Sequence, residues 1–413
     1  MTSSPASHAR YVARQPILDA RQRVVAYELL FRAGLEEVFA CDSPDMATSS
    51  VIADSFAVIG IEALTGGKPA FLNFTREALL QDFASLLPPD LVVVELLETI
   101  EPDDEVLGAC RRLKANGYRI ALDDFVWSDQ FRPLLELADI VKVDFLVTRG
   151  QERAELAHKL RPFDVTLLAE KVELRSDFAA GIDAGYAWFQ GFFFARPNTV
   201  IGRDVHGYLQ SYVQILEVVN SPNCNLRDVE EVVRRDVSLC LKLLRVANSA
   251  AFGKRGRVES IHHALSMLGD QEVRKWVALL TLAGLAQGKP AELIRTTLVR
   301  ARFCEEIADQ FGLGARSTDL FLVGLFSLLD AVLDRPMQDV LAEIPLAKEL
   351  ADAVRFSTGP LAGPLLCAVA WERGDWNAID LLLSDRSADG DALVDVYVRA
   401  VEWARACGEG LAR

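Results

Sequence analysis

Eight short apolar runs between Tyr11 and Phe194 alternate with segments of helical periodicity, and that alternation limits the fold more than any other feature of the chain. The runs are Tyr11–Ile17, Val24–Phe31, Ala70–Phe74, Leu91–Leu96, Tyr118–Leu122, Ile140–Phe145, Thr166–Ala169 and Trp188–Phe194. The turn-like Asp19–Arg23 joins the first two, which read as a hairpin. Between later runs lie stretches such as Glu105–Asn116, closed by Gly117, a good C-terminal helix stop. Strand–helix alternation at this spacing calls for parallel strands joined by crossovers. A TIM-like (β/α) barrel with an antiparallel first strand satisfies it. An open doubly wound sheet is the alternative, but no GxGxxG or Walker-type loop follows any run.

After about Arg203 the period changes. Leu226–Asn248 carries apolar residues at three- and four-residue steps, and Ile261–Leu268, Glu272–Leu285, Leu298–Gln310, Asp319–Leu333 and Leu393–Ala404 continue the pattern. The chain of 413 residues is long enough for two cores. It divides into a barrel over 1–204 and an all-helical domain over 205–413.

A net charge of −15 argues against a general phosphate-neutralising surface for nucleic acid. A small anionic ligand could still be held by local arginines, lysines or metal ions. The best apolar stretches, Val277–Ala286 and Phe321–Val332, are too short to span a bilayer, and MTSSPASHAR lacks a signal-peptide core. The expectation is a cytoplasmic protein with no membrane span. Cysteines at 41, 110, 224, 240, 304, 367 and 407 form no CxxC pair, so buried free thiols are expected.

The polar residues of the first half are placed alike. Each run contains or precedes an acid, an amide or a lysine: Glu28, Asn73, Glu95, Asp123 and Asp124, Lys142 and Asp144, Glu170, and Gln190. The C-terminal strand ends of a β/α barrel face one mouth, where chemistry sits. Carboxylates crowded there repel unless a cation joins them, and hard oxygen ligands suit Mg²⁺ or Mn²⁺. Such ions serve phosphoryl chemistry. Acids at strand ends also cap helices, but adjacent Asp123 and Asp124 after a buried strand need a partner, and so does a lysine in an apolar run.

These residues lie in QPI (Gln15–Ile17), ELLFR (Glu28–Arg32), NFT (Asn73–Thr75), ELLE (Glu95–Glu98), DDF (Asp123–Phe125), KVD (Lys142–Asp144), AEKVE (Ala169–Glu173) and QGFFFARP (Gln190–Pro197). In that order they resemble the motifs of EAL domains. The resemblance implies hydrolysis of cyclic di-GMP to the linear dinucleotide with Mg²⁺ or Mn²⁺. It implies metal ligands at Glu28, Asn73, Glu95, Asp123 and Asp124. Lys142 and Glu170 would position or deprotonate the attacking water. Arg32 would hold a phosphate, Gln15 and Gln190 would line the ligand site, and Glu98 and Glu173 would support the nearby loop. There are departures. Lys171 replaces the glycine of AEGVE. The loop after Asp124 is Phe125-Val126-Trp127-Ser128-Asp129-Gln130-Phe131, shorter and bulkier than the Gly- and Ser-rich loop of active members.

LCLKLLRVANSAAFG (Leu239–Gly253), SIHHALSMLG (Ser260–Gly269), GLFSLLDAVL (Gly324–Leu333) and WERGDW (Trp371–Trp376) resemble the HDOD domain, a relative of HD-type phosphohydrolases. An HD metal site needs a His-Asp dyad and further histidines. The five histidines are His8, His158, His206, His262 and His263, and the segment where the dyad belongs reads Phe326-Ser327-Leu328-Leu329. His262–His263 reads as a helix-face pair, and Asn248–Ser249 as cap or bridge residues. A regulatory module that binds a protein partner is therefore expected, and the resemblance leaves room for a homodimer. The favoured reading is a cyclic-di-GMP signalling protein with weak or absent turnover. The alternatives are an active phosphodiesterase giving pGpG and a ligand-independent interaction scaffold.

Overall fold

The apolar runs become strands because both of their faces are covered, which favours near-continuous β-branched sequence over alternation. β1 (Val12–Asp19) and β2 (Val24–Phe31) pair antiparallel, Val12 opposite Phe31, with a bulge between Ile17 and Leu18. β3 (Ala70–Phe74), β4 (Val92–Leu96), β5 (Arg119–Leu122), β6 (Ile140–Asp144), β7 (Thr166–Glu170) and β8 (Trp188–Gln190) follow. From β2 onward, each pairs parallel with the next. β8 returns antiparallel to β1, with Ile17 opposite Gln190, and the sheet closes as an eight-stranded barrel. The expected architecture, antiparallel first strand included, is the one observed.

The computed structural model describes residues 11–32, 60–197, 229–230, 261–286, 288–344, 346–384 and 390–412. Two compact units are present, one carrying the barrel as far as Phe194, the other most of the helical half from Ala195 onward; residues 372–376 and 389–394 group with the barrel. The boundary expected between 204 and 205 lies outside the described residues, as do Asn248–Ser249, Leu239–Gly253, His8 and His206.

The barrel helices are α1 (Ile61–Thr65), α2 (Arg76–Leu80), α3 (Asp104–Ala115), α4 (Arg132–Leu135), α5 (Gln151–Leu160) and α6 (Arg175–Ala184). α3 shows why such segments hold. The Asp103 side chain accepts from the Val106 N–H, acids occupy the first turn, and Arg112 and Lys114 occupy the last. Val106, Leu107, Ala109, Cys110 and Leu113 form its buried face.

Most strand bounds differ from the sequence reading by one or two residues, and two ends bear on the site. β7 extends one residue further and includes Glu170, while β8 stops at Gln190 rather than Phe194. Gly191 takes a φ of 137°, which breaks the extended run, and Phe192–Ala195 tightens into a 3-10 turn whose Phe193 and Phe194 are buried.

The helical unit contains α7 (Ile261–Leu285, interrupted at Gly269), α8 (Ala291–Glu306), α9 (Ser317–Phe326), α10 (Leu329–Leu333), α11 (Met337–Glu343), α12 (Lys348–Phe356), α13 (Ala362–Arg373), α14 (Trp376–Leu383) and α15 (Gly390–Ala412). α9 buries Thr318 and every residue from Leu320 to Phe326, as a helix apolar on all sides must. A Cβ on Gly324 would lie 2.6 Å from the Ala301 Cα of α8, so glycine sets the approach of these two helices. Phe303, Trp371 and Tyr397 pack together in the same core.

Cys110, Cys304, Cys367 and Cys407 are buried and in no disulfide; Cys41, Cys224 and Cys240 lie outside the described residues. Burial pushes the Cys110 thiol up to about 11 and those of Cys367 and Cys407 up to about 12. Since the thiolate is the nucleophile, iodoacetamide at pH 8 is expected to leave these three unlabelled in the native protein and to label them in denaturant. Peptide mass mapping checks this; rapid native labelling of Cys367 would contradict the packing of α13.

Candidate functional site

The barrel interior is built in layers two residues apart, the strand period. Ile17, Ala26, Phe71, Val93, Ala121, Ile140 and Leu168 form one apolar layer, one residue from each of seven strands, with Trp188 of β8 against it. Two residues further toward the mouth stand Glu28, Asn73, Glu95, Asp123, Lys142, Glu170 and Gln190. β1 runs the other way, so its contribution is Gln15, two residues before Ile17. Pleat and register therefore explain why the same sequence placement recurs in run after run.

Lys142 is the hub of this ring, with 1% of its surface exposed. Its Nζ lies 2.9 Å from Asp123 Oδ1, 2.8 Å from Glu170 Oε1 and 3.4 Å from Glu28 Oε2, and also donates to Glu95. Gln190 Nε2 donates to Glu28 Oε2 at 2.7 Å and to Gln15 Oε1 at 2.9 Å, and Asn73 Nδ2 donates to Glu28 Oε1 at 3.3 Å.

Four carboxylates around one ammonium leave a surplus of negative charge. Burial pushes the Glu95 carboxyl well above the usual range, with Lys142 opposing the shift. Burial also pushes Glu170 up to about 8, and the charges of Asp123 and Glu28 add to it. Asp123 goes the other way: burial raises it, but the charge and hydrogen bond of Lys142 outweigh that. Burial opposes the charge on Lys142, yet the surrounding carboxylates, led by Glu170, hold the ammonium well above its ordinary value.

A second acidic group sits at the rim. Carboxylate oxygens of Glu98, Asp123 and Asp124 lie within 4.8 Å of one another. Burial and the Asp123 charge both raise the Asp124 carboxyl. Lys171, immediately after β7 and at a φ of 51°, places its Nζ 2.6 Å from Asp144 Oδ2 and 3.4 Å from both Asp124 oxygens. The structure sets Glu98 itself among the rim acids. The contacts of Lys171 had no sequence signal beyond its being a lysine where the resemblance leads to glycine.

Two further candidates lie just beyond strand ends. Arg32 follows the last residue of β2, is exposed, and lies with its guanidinium 5.1 Å from the Tyr11 ring centre. Glu173 is exposed beyond β7. The loop after Asp124 is fixed by aromatic packing: Phe125 is buried and edge-on to Phe131, and Trp127 lies against Phe163. The Phe125 N–H donates to the Lys142 carbonyl, which ties this loop to the hub strand. Val126 at its crest is 69% exposed.

The donor set fits a divalent cation. Asn73 Oδ1 and Glu95 Oε2 are buried with no hydrogen-bond partner, a costly state for oxygens unless something else meets them. Together with Glu28 and Asp123 they are all-oxygen ligands, suited to Mg²⁺ or Mn²⁺.

The EAL domain model matches residues 59–197 and the HDOD domain model residues 208–346. The chain is 32% identical over 405 residues to the cyclic di-GMP phosphodiesterase CdgJ of Vibrio cholerae, covering 96% of this chain and 93% of that one. It is 32% identical over 401 residues to the uncharacterized protein YuxH of Bacillus subtilis, covering 95% and 97%. Among solved structures, Klebsiella pneumoniae BlrP1 in a calcium/cy-diGMP complex is 24% identical over 48% of this chain and 57% of that one, with a TM-score of 0.36. Matched almost end to end by such relatives, and carrying both domains in this order, the chain belongs to the family of EAL–HDOD two-domain proteins.

Proposed function

We propose that the barrel binds cyclic di-GMP with divalent cations at its mouth and hydrolyses one phosphodiester bond slowly, and that the helical domain is a non-catalytic module that binds a protein partner. The ring of Glu28, Asn73, Glu95, Asp123, Lys142 and Glu170, with its unpartnered buried oxygens, carries this reading. The similarity to CdgJ supports it.

Glu28, Asn73, Glu95 and Asp123 would hold a first Mg²⁺ or Mn²⁺, and Asp123, Asp124 and Glu98 a second. When bound, such an ion supplies Lewis acidity toward a phosphoryl oxygen and lowers the pKa of water. The chain's own part is distinct. Lys142 holds Asp123 and Glu170 at fixed distances from one ammonium. Glu170, pushed up to about 8, lies in the range suited to a general base near neutral pH. It would take the proton of the water that attacks phosphorus, and the 3′-oxygen would leave as its P–O bond breaks and take up a proton from solvent. Gln15 and Gln190, hydrogen-bonded to each other in the ring, would line the ligand site. In the helical domain, the segment where a dyad belongs has a structural task. The Ser327 hydroxyl donates to the Gly324 carbonyl at 2.7 Å and accepts from Arg300 Nη1 at 2.9 Å.

The test is incubation of the purified protein with cyclic di-GMP and Mn²⁺ or Mg²⁺, followed by chromatography, with calorimetry in Ca²⁺ to read binding. Slow appearance of the linear dinucleotide is expected, reduced about 100-fold or more in Glu28→Gln. Neither binding nor turnover in the wild type would sink the proposal. A receptor that binds without cleaving is the second reading, favoured by the Lys171 ammonium resting on Asp124.

A further inference from the structure

We propose that Lys171 is a tethered cation that takes over part of the charge role of a second divalent ion, so that the mouth binds one ion tightly and a second weakly. This rests on the metal-dependent reading of the site given above and specifies its stoichiometry.

Three observations support it. First, Lys171 is fixed in place. Its φ of 51° lies in the left-handed region that glycine adopts far more readily than any side-chain-bearing residue, so the position carries a lysine in spite of its backbone. Second, its ammonium is anchored. Asp144 Oδ2 holds it at 2.6 Å, while Asp144 Oδ1 accepts from the Leu146 and Val147 N–H groups at 2.6 and 3.2 Å and cannot swing away freely. Third, the anchored charge faces the rim acids. Lys171 Nζ is 3.4 Å from both oxygens of Asp124, whose carboxylate groups with those of Glu98 and Asp123.

An ion seated among those three carboxylates would therefore lie beside a fixed positive charge. Coulomb repulsion between a divalent and a monovalent cation a few ångströms apart weakens binding about tenfold even at water-like screening. Lys142 stands in the same relation to the inner ring, but there four carboxylates surround one ammonium. At the rim the charge of Asp144 is already matched by Lys171, and only Glu98 and Asp124 add to the shared Asp123.

The test is Mn²⁺ titration of the chelator-treated full chain without nucleotide, read by calorimetry and by the electron paramagnetic resonance signal of free Mn²⁺. The wild type is expected to bind one ion tightly and a second at least about tenfold more weakly. Lys171→Gly, which also relaxes the backbone, and Lys171→Met, which keeps the length and loses the charge, should both tighten the second site about tenfold and leave the first nearly unchanged. Lys171→Arg should behave as wild type. Two equal ions in the wild type, or an unchanged second site in Lys171→Met, would overturn the inference while leaving a metal-dependent site in place. No Mn²⁺ bound by any of the proteins would overturn both this and the reading on which it rests.

Discussion

Lys142→Met is expected to cost the cation-free protein about 3–5 kcal/mol of stability at pH 8, the usual result of stripping the counter-charge from buried ions. The lysine is almost fully enclosed and Glu28, Glu95, Asp123 and Glu170 all face its ammonium. Without it they must repel, take up protons or admit water. The effect depends on pH with a definite sign. Glu170 binds its proton up to about pH 8 in the folded protein, against an ordinary value of 4.5. Between those values the folded state holds more protons than the unfolded one, so this group's contribution to stability is full below about 4.5 and is lost as the pH rises toward 8. Lys142 stays charged across that window, its own value being raised further still. The variant should therefore approach wild type at pH 5 and diverge at pH 8. Urea unfolding of both proteins at the two pH values, in chelator, decides it. Equal stability at pH 8 would mean that the ring does not depend on its lysine.

Gly191→Ala is the other substitution with a large expected effect. A Cβ there would lie 2.2 Å from the Val172 carbonyl oxygen and 2.5 Å from its nitrogen, at a φ of 137°. Val172 is the junction of β7 and β8: its N–H donates to the Gln190 carbonyl at 2.9 Å and its carbonyl accepts from Phe193 N–H at 3.2 Å. Neither backbone can retreat without breaking these bonds and moving the Gln190 side chain off Glu28. A loss of about 3 kcal/mol or more is expected, from overpacking together with backbone strain. Gly185→Ala is the control. It has a φ of 97° but nothing within 4 Å of an added Cβ, so it should lose only about 1–2 kcal/mol, the cost of left-handed backbone. Denaturant melts of the two variants would refute the close approach if Gly185→Ala proved the more damaging.

Much of the barrel was legible because the strand period does two tasks at once. The alternation that buries Phe71, Val93 and Ile140 in the apolar layer also carries Asn73, Glu95 and Lys142 to the layer above. Reading strand ends therefore amounts to reading the mouth. What the sequence could not give is any contact made between loops. Lys171 meets an acid 27 positions away in Asp144 and 47 away in Asp124, and Glu98 joins Asp123 and Asp124 across the loops after β4 and β5. No periodicity links such residues. The early end of β8 was missed because Phe192–Phe194 continues the apolar run while Gly191 turns the chain. In the helical half, period located α7 and α15, caught the later part of α8 and ran α9 and α10 together, and it named none of α11 to α14; the close crossing at Gly324 depends on an absent side chain, which apolar counting cannot see.

The direction of β1 has a consequence for anything joined to the barrel. In a barrel of eight parallel strands, the chain enters at the floor and leaves at the mouth. Here β1 descends while β2 to β8 ascend, so Val12 stands at the mouth opposite Phe31, and Gln190 also ends there. Entry into β1 and exit from β8 therefore share one rim, and both lie only a few residues along the chain from the ring of Gln15, Glu28 and Gln190.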